Sequence, residues 1–440
     1  MIRVLAVLLP LTLPAQPPTL EQILERLARL ETENQALRNE IGKLKAEVAS
    51  LKQSSSPAPD TADLAERLDI QERRVDEQAQ AKVEAAQKFP IKLTGQLVAN
   101  LYRNGPHSGV NDHPTVAARA AVRRTAGLTF RQSIIGATYQ GDRSVLGAQV
   151  RGSLFLDFWE GLAENTNFYP VRVRTASVEL DWKSRSLSFV QEKPLFSLRD
   201  PNTFSYSGVS PLTSAGNLWR WQPQIRFEQR AGNGDTQVRA QVALMQTAEE
   251  SHFDFAANGL TADRRRPGLE GRFEVAHRWG EDRRIEIAPS FHLSQTRVSG
   301  NKLRSDLFAV DWLAVPLPRI EFTGLFWSGQ AVHHFGSLRQ SFIRQGTALQ
   351  PVEAKGGWSQ VSLTLHERVS LNLFAGIHDD RNAGLAPAQV GANRAGAANL
   401  MFRIAPNVIA AIEAMQIRTQ SADGRAAKLN RYDLSVAYQF

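Results

Sequence analysis

The chain ends in the stretch Leu429-Asn430-Arg431-Tyr432-Asp433-Leu434-Ser435-Val436-Ala437-Tyr438-Gln439-Phe440. From Tyr432 onward, every second position holds an apolar or aromatic side chain, and smaller or polar side chains lie between them. Successive side chains of a β-strand point to opposite faces, so this period of two predicts a strand with one continuous apolar face. The same period recurs through most of the chain.

Alternation of this type begins after Phe89-Pro90 and marks sixteen segments. They lie near residues 91–101, 126–140, 145–158, 171–182, 187–193, 219–230, 236–247, 269–279, 284–297, 306–315, 319–330, 357–367, 370–378, 395–404, 407–420 and 429–440. Short turns and longer loops largely alternate between them. An even number of strands joined in this way predicts an all-β transmembrane barrel of about sixteen antiparallel strands. A soluble β-sandwich does not explain the alternating connection lengths.

The composition excludes several other classes of protein. The 440 residues include no Cys, which excludes disulfides, thiolate metal sites and cysteine catalysis. The only strongly apolar run, residues 4–13, is too short for a membrane-spanning helix, which needs roughly 20 residues. The His residues lack the spacing of metal ligands, and no phosphate-binding or dinucleotide motif is present. We therefore expect neither an enzyme nor a bound metal or cofactor.

The first 88 residues follow a different pattern. Residues 1–15 combine the basic Arg3, an apolar stretch and the small Ala15, which predicts a cleaved signal peptide. Residues 16–53 predict an α-helical coiled coil, residues 54–60 a linker and residues 61–88 a second, more polar helix, so the barrel would comprise residues 89–440. The protein is therefore expected to be exported, with its coiled coil in the periplasm.

Apolar residues in the coiled-coil segment recur with alternating spacings of three and four. The predicted oligomerisation residues are Leu27, Leu30, Asn34, Leu37, Ile41 and Leu44. Residues that flank the core pair with opposite charge between parallel neighbours, as Arg26 does with Glu31, and this predicts a parallel homo-oligomer. The core Asn34 favours a dimer, whereas residues 26–31 resemble a short trimerisation motif. The local pattern therefore leaves the number of chains open.

Arginine dominates the charge of the predicted barrel. The chain has a net charge of +8, and residues 90–440 contain 34 Arg and 6 Lys against 30 acidic residues. Guanidinium groups bind carboxylates and phosphates through two parallel hydrogen bonds, so this composition favours an anionic solute. The alternative is that these arginines pair with acids inside the barrel, such as Glu228, Glu274 and Glu413.

The alternation also predicts which arginines face the interior. In residues 219–230, outward positions for Trp219, Trp221 and Ile225 leave Arg220 and Arg226 inside. The pore-lining and anion-binding candidates are Arg220, Arg226, Arg239, Arg272, Arg278, Arg403 and Arg431, with weaker alternation around Arg131 and Arg151. The Trp residues near segment ends, expected to supply an interfacial girdle, are Trp182, Trp219, Trp221, Trp279, Trp312, Trp327 and Trp358.

Several short motifs resemble those of DcaP-like porins. They are Phe130-Arg131-Gln132-Ser133, Pro201-Asn202-Thr203 and Ala215-Gly216-Asn217-Leu218-Trp219-Arg220 with Gln222-Pro223-Gln224-Ile225-Arg226. The whole layout resembles trimeric outer-membrane porins that carry an N-terminal coiled coil before a sixteen-stranded barrel, a family related to the phosphate-selective porins O and P. The terminal strand with Tyr438 and Phe440 resembles the signal that the barrel-assembly machinery recognises.

The resemblance implies an outer-membrane channel for passive diffusion of small hydrophilic solutes, with a preference for small carboxylates or similar anions. It implies a homotrimer surrounded by outer-membrane lipid and lipopolysaccharide. In such porins the third long loop narrows the pore, so residues 194–218 would form the constriction with Arg199, Asp200 and Asn202. No nucleic-acid partner is expected. The alternative function is a tether, in which the barrel is an anchor and the coiled coil reaches the cell wall.

Overall fold

The computed structural model describes residues 91–109, 112–159, 170–247, 249, 262–263, 266–338 and 340–440, together with Lys43. Apart from Lys43, the predicted signal peptide, coiled coil, linker and second helix lie outside these residues, and so do the oligomerisation candidates. Within the described part of the chain, no helix is long and apolar enough to cross a membrane. A 3-10 helix occupies His333–Phe335.

Twenty strands account for most of the described residues. In chain order they are β1 (Ile91–Asn104), β2 (Thr125–Thr129), β3 (Ile134–Val145), β4 (Ala148–Asp157), β5 (Arg172–Asp181), β6 (Arg185–Glu192), β7 (Gln222–Asn233), β8 (Thr236–Met245), β9 (Ala262–Asp263), β10 (Gly268–Trp279), β11 (Arg283–Val298), β12 (Asn301–Leu317), β13 (Ile320–Gln330), β14 (Phe342–Gln345), β15 (Ala348–Pro351), β16 (Glu353–His366), β17 (Val369–Asp380), β18 (Val390–Ala405), β19 (Val408–Ser421) and β20 (Ala426–Gln439).

The wall of the barrel has sixteen strand positions. Strands β2 and β3 share one position, because both pair with β1. Strand β9 only extends the edge beside β11, and β14 pairs with β15 in a separate hairpin. All other neighbours pair antiparallel in chain order, and β20 returns to β1. The predicted closed barrel of sixteen antiparallel strands is therefore confirmed.

Closure of the barrel involves the last residue of the chain. The register of β1 with β20 runs from Gln96 opposite Gln439 to Asn104 opposite Arg431. Beyond this ladder, the Gly95 N donates to the Phe440 carbonyl oxygen at 2.9 Å, and the Phe440 N donates to the Gly95 oxygen at 3.1 Å. A closed ladder leaves no strand edge whose backbone groups lack partners.

Strand β20 shows how the wall is built. Its outward side chains Tyr432, Leu434, Val436 and Tyr438 are 43–56% exposed, whereas the inward Arg431, Asp433, Ser435 and Ala437 are at most 6% exposed. Exposed apolar side chains alternate in the same way with buried polar ones on most other strands. An apolar exterior around a polar interior is the arrangement of barrels that sit in lipid.

The two ends of the barrel differ in their connections. At the end that we call the short-turn end, the strands are joined by residues 146–147, 182–184, 234–235, 280–282, 318–319, 367–368 and 406–407. Gly234 and Gly280 have φ of +58° and +70° there, a conformation that glycine adopts without steric cost. At the opposite, long-loop end, six of the eight connections are longer, and those at 299–300 and 422–425 are short.

The segment predicted as one strand over residues 126–140 is interrupted. Residues 130–133 leave the ladder between β2 and β3, and Arg131, Gln132 and Ser133 become buried. The Ser133 Oγ accepts a hydrogen bond from the Val98 N of β1 at 2.9 Å and so replaces a missing ladder partner. The single-strand prediction was wrong because these three consecutive polar side chains are buried and form hydrogen bonds with other elements instead of continuing the ladder.

Several predicted outward-facing tryptophans were placed on the wrong side. Strand β7 begins at Gln222 rather than at Trp219, and Trp219 is only 6% exposed. Trp327 and Trp358 point inward and are 0% and 3% exposed. They belong to an apolar cluster inside the barrel, which also contains Phe196, Leu212, Ala215, Leu218, Leu325, Phe335, Phe374 and Met415. The interior is therefore partly filled by an apolar core along β12 to β19.

Candidate functional site

Residues 193–221, the connection between β6 and β7, fold into the barrel and cross its lumen, and we call them the inner loop. At one wall, Arg199 contacts Asp311 of β12. Farther along the loop, the Asn202 N donates to Gln360 Oε1 of β16 at 2.6 Å, and Thr203 Oγ1 donates to Glu413 Oε2 of β19 at 2.5 Å. Strands β16 to β19 lie across the barrel from β6 and β7, where the loop begins and ends, so the loop crosses the lumen.

Three charged residues of the inner loop form ion pairs. Arg199 also binds Glu286 of β11; burial would lower the pKa of Arg199, but the hydrogen bond with Glu286 and the charge of Asp311 raise it. Asp200 forms an ion pair with Lys193, and Asn217 Nδ2 donates to Asp200 Oδ1 at 2.8 Å. The three predicted constriction residues, Arg199, Asp200 and Asn202, therefore lie together in the lumen.

The second half of the inner loop is anchored to the wall by hydrogen bonds. The Gly208 N donates to Gln132 Oε1 at 2.7 Å, so the bulge between β2 and β3 supports the loop. Trp327 Nε1 donates to the Gly216 carbonyl oxygen at 2.8 Å. The backbone of the inner loop packs directly against that of β16 here. Only glycine fits at position 216, because a Cβ would come within 2.1 Å of the Gly357 oxygen.

A cavity of about 830 Å³ opens between the inner loop and the wall at the short-turn end. Its charged lining consists of seven basic residues (Lys183, Arg199, Arg230, Arg239, Arg272, Arg278 and Arg284) and three acidic ones (Asp235, Glu274 and Glu286). Strands β7, β8, β10 and β11 present seven of these side chains, while Lys183 and Asp235 lie in turns and Arg199 lies in the inner loop. The sequence-predicted Arg239, Arg272 and Arg278 are thereby brought together with Arg199, which makes this basic cavity the candidate site.

The cavity arginines form ion pairs with acidic side chains that are more buried than the exposed arginines. Arg272 donates from Nε and Nη2 to the two oxygens of Asp311, both at 3.0 Å, and its Nη2 lies 2.7 Å from Glu274. Arg239 lies 3.7 Å from Glu228 and 3.6 Å from Glu274. Asp311 and Glu274 have side chains only 2% and 8% exposed, whereas that of Arg239 is 41% exposed. The exposed charge of the cavity therefore comes mainly from basic groups, and Asp235 is its exposed acid.

Two further candidates lie near the start of β7. Arg226 Nε donates to Gln224 Oε1 at 3.0 Å, and its Nη2 donates to the Lys193 carbonyl oxygen, so this side chain ties β7 to the inner loop. Arg220 precedes the strand; it is exposed, and its backbone N donates to the Phe335 oxygen at 3.2 Å. Neither residue lines the basic cavity.

Arg151 and Arg403 lie apart from the basic cavity lining. Arg151 forms a 3.0 Å ion pair with Asp181, which also binds Arg230. Arg403 is exposed near the short-turn end and shares a face of β18 with the buried Asn399.

Arg131 and Arg431 belong to a separate buried cluster. Arg431 is 0% exposed and donates to both oxygens of Asp433, at 2.8 and 2.6 Å, and to Asn104 Oδ1 at 3.0 Å. Arg131 is 1% exposed and forms a 2.7 Å ion pair with Asp112. Internal carboxylates therefore satisfy both guanidiniums, and these two residues support the wall and the connection after β1.

Sequence reasoning missed several charged residues of the cavity. They are Lys183, Arg230, Asp235, Arg284 and Glu286. Arg230 lies four positions after Arg226 in β7, so extending the same alternation by two steps would have found it. The partnership of Asp311 with two arginines from other segments has no signal in the local sequence.

The barrel, its inner loop and its charged lumen define a fold of the outer-membrane porin type. No protein-family model matches the chain, and no curated protein sequence matches it. The structure is similar to the outer membrane channel DcaP of Acinetobacter baumannii, with a TM-score of 0.64 and 14% sequence identity over 80% of this chain and 97% of that chain.

Two other solved structures have a similar fold. One is the anion-selective porin from Comamonas acidovorans, with a TM-score of 0.53 and 12% identity over 80% of this chain and 99% of that chain. The other is OprB of Pseudomonas putida in its high-pH structure, with a TM-score of 0.53 and 9% identity over 83% of this chain and 97% of that chain. At these identities the likeness establishes a shared fold.

Proposed function

We propose that the protein is an outer-membrane porin through which small hydrophilic solutes diffuse passively, with a preference for anions such as small carboxylates. The observation that carries the proposal is the arginine-lined cavity beside a loop that crosses the lumen. The shared fold with an outer membrane channel and an anion-selective porin supports it.

The charge distribution around the cavity supports an anion preference. The side chains of Arg239 and Arg284 are 41% and 42% exposed, whereas those of their acidic partners Glu274 and Glu286 are 8% and 18% exposed. Low-dielectric walls focus the field of fixed charges on the solute path, so exposed guanidiniums lower the barrier for an anion. A carboxylate that reaches these groups gains charge-assisted hydrogen bonds in place of part of its hydration shell.

Ion selectivity in planar bilayers tests the proposal. The wild-type zero-current potential in a salt gradient should indicate anion preference, and Arg239→Gln with Arg284→Gln should shift it toward cations. The shift should be larger at 0.1 M than at 1 M salt, because the screening length falls from about 10 Å to about 3 Å. Arg220→Ser with Arg226→Ser tests the first candidates from the sequence in the same assay.

The matched control is Arg304→Gln with Arg381→Gln. Both arginines lie at the long-loop end, outside the basic cavity lining, and form exposed ion pairs with Asp306 and Glu353, each at 2.8 Å. This variant removes the same number of charges and should leave the selectivity unchanged. A cation-selective wild type would refute the anion preference, and well-folded protein without conductance would favour the tether function instead.

We also propose that the chain is exported and inserted in the outer membrane as a homotrimer. Removal of residues 1–15 would leave the coiled coil of residues 16–53 in the periplasm, where its opposite-charged flanking pairs favour parallel chains. The short-turn end of the barrel would then face the periplasm and the long-loop end the exterior, as in other barrels of this type.

A further inference from the structure

Three basic side chains form a row across the outside of the barrel near its long-loop end. Arg394 of β18 lies directly opposite Arg418 of β19, and Arg418 lies directly opposite Lys428 of β20. All three are exposed, while the adjacent Asn393 and Leu429 are buried inside. The row is therefore on the outer face of three neighbouring strands.

The acidic residue of the described wall that lies nearest to the row in register is Asp379 of β17, which is diagonal to Arg394 and directly opposite Lys355. Among the described residues, none of its three members forms an ion pair with a carboxylate. Asp423, in the turn between β19 and β20, is already bound by Arg119 at 2.7 Å and lies 3.7 Å from Arg425. Like charges directly opposite on neighbouring strands repel each other, so an external anion that contacts all three would relieve the repulsion.

The height of the row on the wall matches the head-group region of a lipid leaflet. Along the outer face of β20, the apolar series that begins at Tyr438 ends at Tyr432. Next comes Asn430, whose Oδ1 accepts a hydrogen bond from Gln416 Nε2 at 3.0 Å, and then Lys428. Lys428 lies four residues beyond Tyr432, about 13 Å along the strand. Aromatic side chains at this position mark the edge of the hydrocarbon, so the row lies among head groups.

We propose that Arg394, Arg418 and Lys428 bind the phosphate groups of a glycolipid in the outer leaflet. Guanidinium groups donate pairs of hydrogen bonds to phosphate oxygens, and the lysine adds a third positive charge at the next strand. The choice of leaflet rests on the proposed outer-membrane function, which puts the long-loop end outside. Because the three residues are directly paired on adjacent strands, their side chains lie side by side on the outer face.

Lipid binding by the full-length protein tests this site. The protein is reconstituted in neutral phosphatidylcholine nanodiscs, and binding of fluorescent lipid A is measured for the bisphosphorylated and the dephosphorylated forms. Arg394→Gln with Arg418→Gln should raise the Kd for the bisphosphorylated form about tenfold, since each lost charge-assisted pair weakens binding. Arg304→Gln with Arg381→Gln, the matched control, should change it less than about twofold.

Other outcomes overturn the site. Equal weakening in both double variants would show a general effect of charge, and equal binding of the dephosphorylated form would show that phosphate is not recognised. Displacement by millimolar inorganic phosphate with no preference for lipid A would assign the row to free phosphate. A change in oligomer mass in the Arg394 and Arg418 variant, without a change in lipid binding, would assign the row to a subunit contact.

The same preparation separates this site from the proposed channel function. Folding of each variant is verified by heat-modifiable gel mobility, and Lys428→Gln offers a milder substitution if the double variant does not fold. Conductance is recorded separately, with the same purified protein in planar bilayers. Conductance without phosphate-dependent binding refutes only the lipid site, whereas binding without conductance refutes only the channel.

Discussion

At the scale of single residues, His113 is the most unusual titratable group of the connection after β1. It is completely buried, with its ring centroid 5.7 Å from that of Tyr102, 5.0 Å from Trp159 and 5.7 Å from Tyr206. Burial and the charge of Arg431 lower the pKa of His113 to about 4, although the neighbouring Asp112 and Asp433 act in the opposite direction. The folded protein therefore holds a neutral imidazole.

This pKa predicts an acid-sensitive fold. Because the unfolded chain binds the His113 proton near pH 6.5 and the folded chain near pH 4, the contribution to stability is complete above pH 6.5 and is lost as the pH falls toward 4. The loss amounts to about 3 kcal/mol. His113→Gln should remove this part of the pH dependence, as measured by the apparent unfolding temperature from heat-modifiable gel mobility between pH 7 and pH 4.

Asp112 does not interfere with that comparison. Burial alone would raise its pKa, but the hydrogen bond and charge of His113 and the charge of Arg131 lower it to about 2 from an ordinary 3.8. Its contribution is therefore lost only below about pH 4. If His113→Gln and the wild type lose stability in parallel between pH 6.5 and pH 4, the buried neutral imidazole is not the cause.

The alternation of the sequence gives the inward positions of individual arginines but not their partners. Arg239 and Arg272 follow directly from the period of two, because their strands are regular and their neighbours apolar. The neutralisation of Arg272 by Asp311 depends on the register of β10, β11 and β12, which only the folded barrel defines. Arg431 looked equally solute-facing, but the connection after β1 folds over it, and contacts of that range leave no local pattern.

At the scale of elements, the inner loop depends on glycines in the opposing wall. A Cβ on Gly376 of β17 would lie 2.1 Å from the Ala215 carbonyl oxygen. The loop backbone therefore packs directly on the strand, and no larger residue fits without moving one of them.

Gly376→Ala should displace the inner loop at Ala215. We expect a loss of about 1–3 kcal/mol in stability, as is typical of overpacking, and a fall in single-channel conductance, because a loop that moves away from β17 moves toward the basic half of the lumen. Gly396→Ala is the matched control, since its nearest neighbour is the Ala375 Cβ at 3.7 Å. Equal stability and conductance in the two variants would contradict this account of how the loop is held.

The sequence predicted the boundaries of elements well where a strand faces lipid, and poorly where the alternating pattern continues into a loop. Strand β20 begins within three residues of the predicted segment and ends within one, since hydrocarbon on one side and a polar lumen on the other enforce the alternation. Trp219 and Trp221 alternate with Arg220 in the same way. Trp219 nevertheless lies in the inner loop, where it is buried in an apolar cluster with Trp159 and Val209. A period of two in the sequence does not show whether an apolar side chain faces lipid or is buried inside the barrel.

At the scale of the whole molecule, the lumen is divided into unlike halves. The apolar cluster around Leu212, Leu218 and Trp358 fills the side formed by β12 to β19, while the basic cavity lies along β7 to β11. The inner loop bridges the two. In the proposed channel, a solute path along the basic half would pass Arg199 where the loop meets the wall, so the same segment would affect both selectivity and packing.

The proposed trimer gives a direct prediction for the intact assembly. Detergent-solubilised protein should have three times the mass of the chain, and deletion of residues 20–51 should lower the fraction of trimer, because the heptad core would be lost. Deletion of the polar residues 61–88 provides a comparison of similar length. A dimer or monomer from the intact protein would refute the trimer.

Barrel closure gives the last prediction, because Phe440 has two separable roles. Its backbone forms two hydrogen bonds with Gly95, and its ring stacks 6.2 Å from Tyr438 on the outer face. Deleting Phe440 removes the ring and about 2 kcal/mol of hydrogen bonding, whereas Phe440→Ala removes only the ring. If the ring is the assembly signal, both variants should reach the outer membrane in reduced amount; if closure dominates, only the deletion should. Normal amounts and normal heat-modifiable mobility for both would contradict the assigned role of the C-terminus.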